Sequence, residues 1–283
     1  MDRFDAKYYK LKNDTKRLYH SGILMIDRKQ KKVLKRNVEL KNKYSGRCFI
    51  VANGPSLATI DTSLLRSEFV FTVNYAMKSA IYRNLESNIH VMMDPNIFNF
   101  QGSEDPRVRQ MEGINSKLSR PLCFFPYQAG DKIINYKIDE YLQVMYISSK
   151  YSIYDHYKRE FDLTKICPGF ANVTQYAIMI ALYLGFNEII LIGCDMTGYE
   201  QLSINAGKES ELHIYKMDDT ERRMIAETHS TIPTEDYFLG FSNTFADFRR
   251  LKEYCEDCGV RLINATAGGV LDEIERVKYS SLF

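Results

Sequence analysis

Residues 49–60 read FIVANGPSLATI. An apolar run that breaks at Asn53-Gly54-Pro55-Ser56 has the form of a β-strand delivering a tight loop to a ligand. The loop is neither of the familiar nucleotide loops. A dinucleotide fingerprint needs G-x-G-x-x-G and a P-loop needs G-x-x-x-x-G-K-[ST], whereas this stretch has one glycine and no lysine. In a binding loop Gly54 lets the backbone approach a phosphate or sugar and Pro55 stiffens the turn. Ser56 caps the following helix, whose free N–H groups then face an anion. The same residues also suit an ordinary strand-to-helix turn in which Ser56 only caps.

Outward from this loop, short apolar runs recur at 47–52, 69–74, 89–94, 122–126, 143–148, 188–195 and 260–266. Their near-continuous apolar character suits strands covered on both faces, as in a parallel sheet. Between them, 171–185 and 243–259 have helical periodicity, and each ends at a glycine fit to be a C-cap. Strands alternating with helices predict an α/β fold: one Rossmann-like, doubly wound, mostly parallel sheet over 46–283. Residues 1–45 read as a basic helical arm broken near Ser21-Gly22, an appendage to that domain. The polar stretch 197–240 reads as a lid-like insertion.

In such sheets ligands lie beyond the carboxyl ends of the strands. The candidate site residues are therefore Asn53, Gly54, Pro55 and Ser56 after the first strand, Asn74 after the second and Asp94 after the third. Asp195, Met196 and Thr197 follow the 188–195 strand, and Thr174 opens the 171–185 helix. Most of these present amide or hydroxyl groups, which read sugar hydroxyls, base edges and phosphate oxygens without a full counter-charge.

With 283 residues, 45% of them apolar, the chain can bury a sizeable core. No apolar run reaches the roughly 18 residues of a membrane span and no signal peptide is evident, so a soluble, cytoplasmic protein is expected. Six cysteines, four of them in or beside apolar runs, read as buried thiols, and the Cys255-x-x-Cys258 pair lacks the partners of a zinc site. Residues 1–47 hold 15 Lys/Arg against 5 Asp/Glu, leaving 23 against 31 in the remainder. A basic arm thus precedes an acidic body, either as a solvated helix or as a peripheral contact with the cytoplasmic face of a membrane. Nucleic acid is not expected as a partner, and homo-oligomerisation is left open.

Asp94 and Asp195 can each serve as a metal ligand or a base, but neither belongs to a D-x-D, so a divalent metal is allowed without being indicated. His213 and His229 fall in the lid, where a histidine can take a proton from an acceptor hydroxyl near neutral pH. Tyr215 lies in the same stretch, and a tyrosine hydroxyl can stabilise a leaving phosphate. A surface histidine and a loop-pinning aromatic are the plain alternatives.

The motif order FIVANGPSL, FVFTVNYAM, VMMDPNIF and QYAIMIALYLGFNEIILIGCDM resembles the bacterial sialyltransferase family with its variant GT-A, Rossmann-like fold. It is also similar to the cores of motility-associated flagellin glycosyltransferases and to hydroxymethylpterin pyrophosphokinase-like proteins. The ending LINATAGGVLDEIERVKYSSLF resembles surface-polysaccharide biosynthesis proteins of that superfamily. The resemblance covers roughly 46–283. It implies that Asn53, Gly54 and Ser56 contact the phosphate and sugar of a CMP-activated donor, with Asn74 and Asp195 beside it and Asp94 where the family has asparagine. It also implies that Gly240-Phe241-Ser242 stands where the family carries G-H-S, so either His213 or His229 supplies the base or the reaction differs.

The function expected on this resemblance is glycosyl transfer in the synthesis of a bacterial surface glycan such as capsule or lipopolysaccharide. A sialic-acid-like or Kdo-like sugar would pass from its CMP-linked donor to a glycan or glycolipid acceptor, with no cofactor required. The alternatives are an ATP- and magnesium-dependent pyrophosphokinase-like enzyme and a non-catalytic nucleotide-sugar-binding subunit.

Overall fold

The computed structural model describes residues 3–115, 120–200 and 213–283. Its strands are β1 (Arg47–Val51), β2 (Phe69–Val73), β3 (Ser87–Val91), β4 (Leu122–Pro126), β5 (Gln143–Ser152), β6 (Ile166–Gly169), β7 (Glu188–Ile192) and β8 (Arg261–Asn264). They form one sheet in the order β6-β5-β4-β3-β2-β1-β7-β8, and every pairing is parallel. The expected Rossmann-like α/β class is therefore what the chain adopts. β6 has no counterpart among the sequence runs: it is a four-residue edge strand containing Pro168, which cannot donate to a ladder and is tolerated at an edge.

The period of two along β1 shows why the runs are continuously apolar. Cys48 and Ile50 point into a large core beneath helices, while Phe49 and Val51 enter a second core on the opposite face. The helices are α1 (Arg3–Ile26), α2 (Arg28–Lys35), α3 (Pro106–Glu112), α4 (Gly130–Asn135), α5 (Val173–Leu184), α6 (Asp219–Thr231) and α7 (Thr234–Asp257). α5 packs on β1, β2 and β3, and α7 packs on α5 and β8. The opposite face is closed by short 3-10 turns that supply Leu57 and Leu65 and by Tyr279 near the end of the chain. The α5 boundaries are set locally. Asn172 forms a capping box with Gln175 at the start, and Gly185 at φ 99° closes the end.

The N-terminal segment differs from the expected appendage. α1 packs on β5 and β6 and α2 on β5, with Leu24, Leu34 and Leu40 inside the main core. Asn37, fully buried, donates to the carbonyls of Tyr146 at 2.9 Å and Leu163 at 2.7 Å, and its own carbonyl accepts from the Tyr183 hydroxyl. The helical break also moves: α1 runs through Gly22, and Asp27 ends it by capping α2 through Gln30 N–H. Of the stretch expected to be a lid, residues 201–212 lie outside the described residues, and the rest contains α6 and the first turns of α7. α7 starts well before the expected residue 243.

Candidate functional site

The chain walks outward from β1 to β6, then returns through α5 to lay β7 on the other side of β1. The strand order therefore reverses between β1 and β7, the place where an open α/β sheet leaves a crevice at its carboxyl edge. Ala52 N–H donates to Ile192 at 2.9 Å, and Gly54 N–H donates to Gly193 at 2.8 Å. These bonds bring the Asn53-Gly54-Pro55-Ser56 loop against Asp195. A Cβ on Gly54 would lie 1.7 Å from Asp195 Oδ2 and 2.6 Å from the Gly193 oxygen. Glycine is required there for space, since its backbone (φ −67°, ψ 153°) is open to any residue.

Ser56 Oγ donates to Asp195 Oδ2 at 2.8 Å. From the far side the loop after β8 closes over the same residue: Val270 N–H donates to the Asp195 carbonyl at 2.8 Å, which Gly269 permits at φ +75°. Burial pushes the Asp195 carboxyl above its ordinary range, while hydrogen bonds from Ser56 and the charge of the nearby Arg276 pull the other way. Asp195 is thus a buried, engaged carboxyl with little of a free base about it.

A cavity of about 280 Å³ opens at this junction. Among its lining residues are Asn53, Gly54, Asn74, Asn172, Thr174, Asp195, Met196, Thr197, His213, Phe241 and Thr244. Asn172 and Thr174 belong to the opening turn of α5, so the positive end of that helix faces the cavity. No lysine or arginine lines it among the described residues. Two non-glycine lining residues are held in left-handed backbone, Asn74 at φ 43° and Met196 at φ 55°, a concentration of strain typical of sites whose surroundings over-determine them. Asn74 Oδ1 is buried with no hydrogen-bond partner, which adds to the strain held at this position. Asn53 is a staple: Nδ2 donates to Val73 O at 2.9 Å, and its carbonyl accepts Ile214 N–H at 2.9 Å.

That second bond brings His213 to the cavity. Its imidazole stacks on Tyr215, ring centroids 4.9 Å apart and 13° from parallel. The support continues outward. Tyr215 OH donates to Glu221, and Lys78 donates to Glu221 at 2.7 Å and Asp218 at 2.5 Å while lying over the rings of Tyr75 and Tyr215. Burial lowers the His213 pKa, with Lys78 acting the same way and Glu221 and the Asn53 backbone opposing. His213 is therefore a neutral imidazole near pH 7, positioned by an aromatic and ionic support.

Of the residues expected from the sequence, Asn53, Gly54, Asn74, Thr174, Asp195, Met196, Thr197 and His213 surround one cavity. Pro55 and Ser56 begin the adjoining 3-10 turn, Ser56 reaching Asp195. Asp94 is placed elsewhere: exposed, it caps its own turn by accepting Asn96 N–H at 2.9 Å and does not converge with Asp195. Tyr215 is buried behind His213 with its hydroxyl committed to Glu221, so it offers packing in place of a phosphate contact. His229 is on α6, and its side chain lies outside the described residues. Sequence reasoning missed Asn172 and Thr244, although the N-x-x-Q capping signature at Asn172 was legible. Phe241, the position where the resemblance implies histidine, forms an aromatic wall of the cavity with Tyr199 and Tyr237 beside it.

The model of the family described as 6-hydroxymethylpterin diphosphokinase MptE-like matches residues 26–201, which takes in α2 and all strands from β1 to β7. No curated protein matches the chain. Among solved structures, the chain is similar to the sialyltransferase CST-II in complex with a trisaccharide acceptor and CMP. The identity is 15%, over 82% of this chain and 85% of that one, with a TM-score of 0.46. A second is the sialyltransferase CstII from Campylobacter jejuni with cytidine-5'-monophosphate, at 16% identity, 82% and 84% coverage, and a TM-score of 0.43.

Proposed function

This chain belongs to the 6-hydroxymethylpterin diphosphokinase MptE-like family, and we propose, from the make-up of its cavity, that it is a glycosyltransferase using a nucleoside-monophosphate-linked sugar, with CMP as the nucleotide. The observation that carries the reading is the make-up of the switch-point cavity. It offers amides, hydroxyls, one engaged carboxyl, a helix N-terminus and a neutral histidine, with no cationic side chain among the described lining residues. A single phosphate carrying a sugar can be held by the α5 N-terminus and by Asn74, with Phe241 against a ring face. In the reaction His213 takes the proton of the acceptor hydroxyl as that oxygen attacks the anomeric carbon, and the bond to the phosphate oxygen breaks. The departing CMP then bears the negative charge that the N–H groups of α5 stabilise.

Membership of a diphosphokinase-like family favours a second reading, diphosphate transfer from a nucleoside triphosphate. That chemistry places magnesium between carboxylates and phosphates. The described lining offers Asp195, while Asp94 caps its own turn. The donor set therefore suits the first reading better.

The test is a thermal-shift and calorimetric comparison of CMP, UMP, GMP and AMP, and of ATP with magnesium, on the full chain. Selective CMP binding supports the proposal; selective binding of ATP with magnesium would overturn it in favour of diphosphate transfer. With a donor and acceptor in hand, His213→Gln should retain CMP binding and lose about 10²- to 10⁴-fold in turnover.

A further inference from the structure

Helix α1 buries one side against β5 and β6 and leaves the other bare. On the bare side Tyr8, Leu11, Leu18, Tyr19, Met25 and Ile26 are all exposed, Met25 at 74% and Ile26 at 80%. At about 100° per residue they fall in one stripe roughly 120° wide. Lys7 borders it on one side and Lys12 and Lys16 on the other, all exposed. Beside its end, exposed Arg28, Lys31, Lys32 and Lys35 of α2 extend the charge. Over residues 5–36 ten Lys/Arg are exposed against one exposed acid, Asp5. A cavity of about 400 Å³ between α1, α2 and α4 is lined by Ile23, Val33 and Ile134 with His20, Lys150 and the Lys29–Asp131 ion pair.

We propose that the outer face of α1, together with α2, docks on an anionic lipid bilayer. The stripe enters the boundary between headgroups and acyl chains, and the flanking lysines meet lipid phosphates. Charge selects the occupant. A second copy of this chain laid on the stripe would bring two sets of basic residues together, whereas an anionic surface neutralises them at roughly fivefold in affinity per lysine. An apolar stripe with basic borders is the composition of a helix lying in an interface, and no helix among the described residues is long and apolar enough to cross a membrane. The proposal does not depend on the donor or the reaction of the switch-point cavity.

The experiment is co-sedimentation of the full chain with vesicles of phosphatidylcholine alone or mixed with phosphatidylglycerol, at low and high salt. Because the chain contains no tryptophan, Leu18→Trp supplies a unique reporter of insertion. Expected are salt-sensitive binding to the mixed vesicles only and, in the Leu18→Trp variant, a blue shift of the indole emission on binding. Affinity should fall roughly tenfold or more in Leu18→Glu/Met25→Glu, with its circular dichroism unchanged. Absence of vesicle binding at low salt, an unshifted emission, or undiminished binding by the double variant would overturn the proposal. So would concentration-dependent self-association of the wild type that the double variant abolishes, which would assign the stripe to a second copy.

Discussion

Replacing Gly54 by alanine tests the site's construction at its tightest point. The new Cβ would meet Asp195 Oδ2 at 1.7 Å, Asp195 Cγ at 2.6 Å and the Gly193 oxygen at 2.6 Å, so either the loop or the carboxyl must move. Overpacking costs about 1–3 kcal/mol. Displacing Asp195 also breaks the 2.8 Å bond from Ser56 and leaves a buried carboxyl short of a donor, about 1.5–3 kcal/mol more. The reduced freedom of the unfolded chain returns about 0.4–1 kcal/mol. The net is roughly 2–5 kcal/mol of destabilisation, a large part of the 5–15 kcal/mol typical of a folded protein. At about 2 °C per kcal/mol for a chain of this size, Tm should fall by roughly 4–10 °C. Gly240→Ala is the control, because its Cβ meets nothing within 4 Å and it is an exposed position inside α7, where alanine should stabilise by about 1 kcal/mol. Adding Asp195→Ala to Gly54→Ala removes two of the three closest contacts, so the double variant should be more stable than the single costs sum to. Urea and thermal denaturation followed by circular dichroism read all four. A Gly54→Ala protein that melts within about 1 °C of wild type would refute the close approach of β1 and β7 on which the site is built.

Burial pushes the fully enclosed His90 down from 6.5 to about 3, so the unfolded chain binds a proton there that the folded chain does not. Its contribution to stability is present above pH 6.5 and is lost as pH falls below it, by up to about 1.4 kcal/mol per pH unit; urea midpoints measured from pH 7 to 4 should fall more steeply for wild type than for His90→Asn. The lowered pKa of His213 places the acid limb of turnover below pH 6.5, with a plateau through neutrality, and His213→Gln should abolish that limb along with most of kcat. Lys78→Met strips the cation from Asp218 and Glu221 beneath Tyr215 and should cost about 3 kcal/mol in a denaturant titration. It should also reduce turnover by loosening His213. Asn37→Ala removes two buried hydrogen bonds and should cost about 2–4 kcal/mol, with faster tryptic cleavage in residues 3–45 as the readout.

Much of the site's material was legible because it sits at strand ends. The breaks at Asn53, Asn74 and Asp195 are where apolar runs stop, and the carboxyl-edge rule makes those breaks candidates. Asp94 satisfied the same rule and was placed elsewhere, since an aspartate before Pro95-Asn96 is an equally good local cap and only the folded chain shows where its oxygens go. Tyr215 likewise could be either a phosphate contact or a packing ring until its hydroxyl was seen on Glu221. The packing of the basic N-terminal segment on β5 and β6 is hidden for a related reason. Its lysines mark the exposed side, but on the buried side Leu24, Leu34 and Leu40 alternate with polar Asn13, Gln30 and Asn37, so no continuous apolar stripe stands out.

By itself the sequence determined the α/β class and the two ends of α5. Strand periodicity, the Asn172 cap and the Gly185 stop are properties of neighbouring residues, and they act on the chain before any long-range contact forms. Only the tertiary structure decided that β7 lies beside β1. That pairing joins Gly54 to Gly193 and Ser56 to Asp195, the latter two 139 positions apart, and no local preference encodes it. It follows from burying both faces of one sheet at once, which turns the α5 return into a reversal of strand order and opens the cavity at that place.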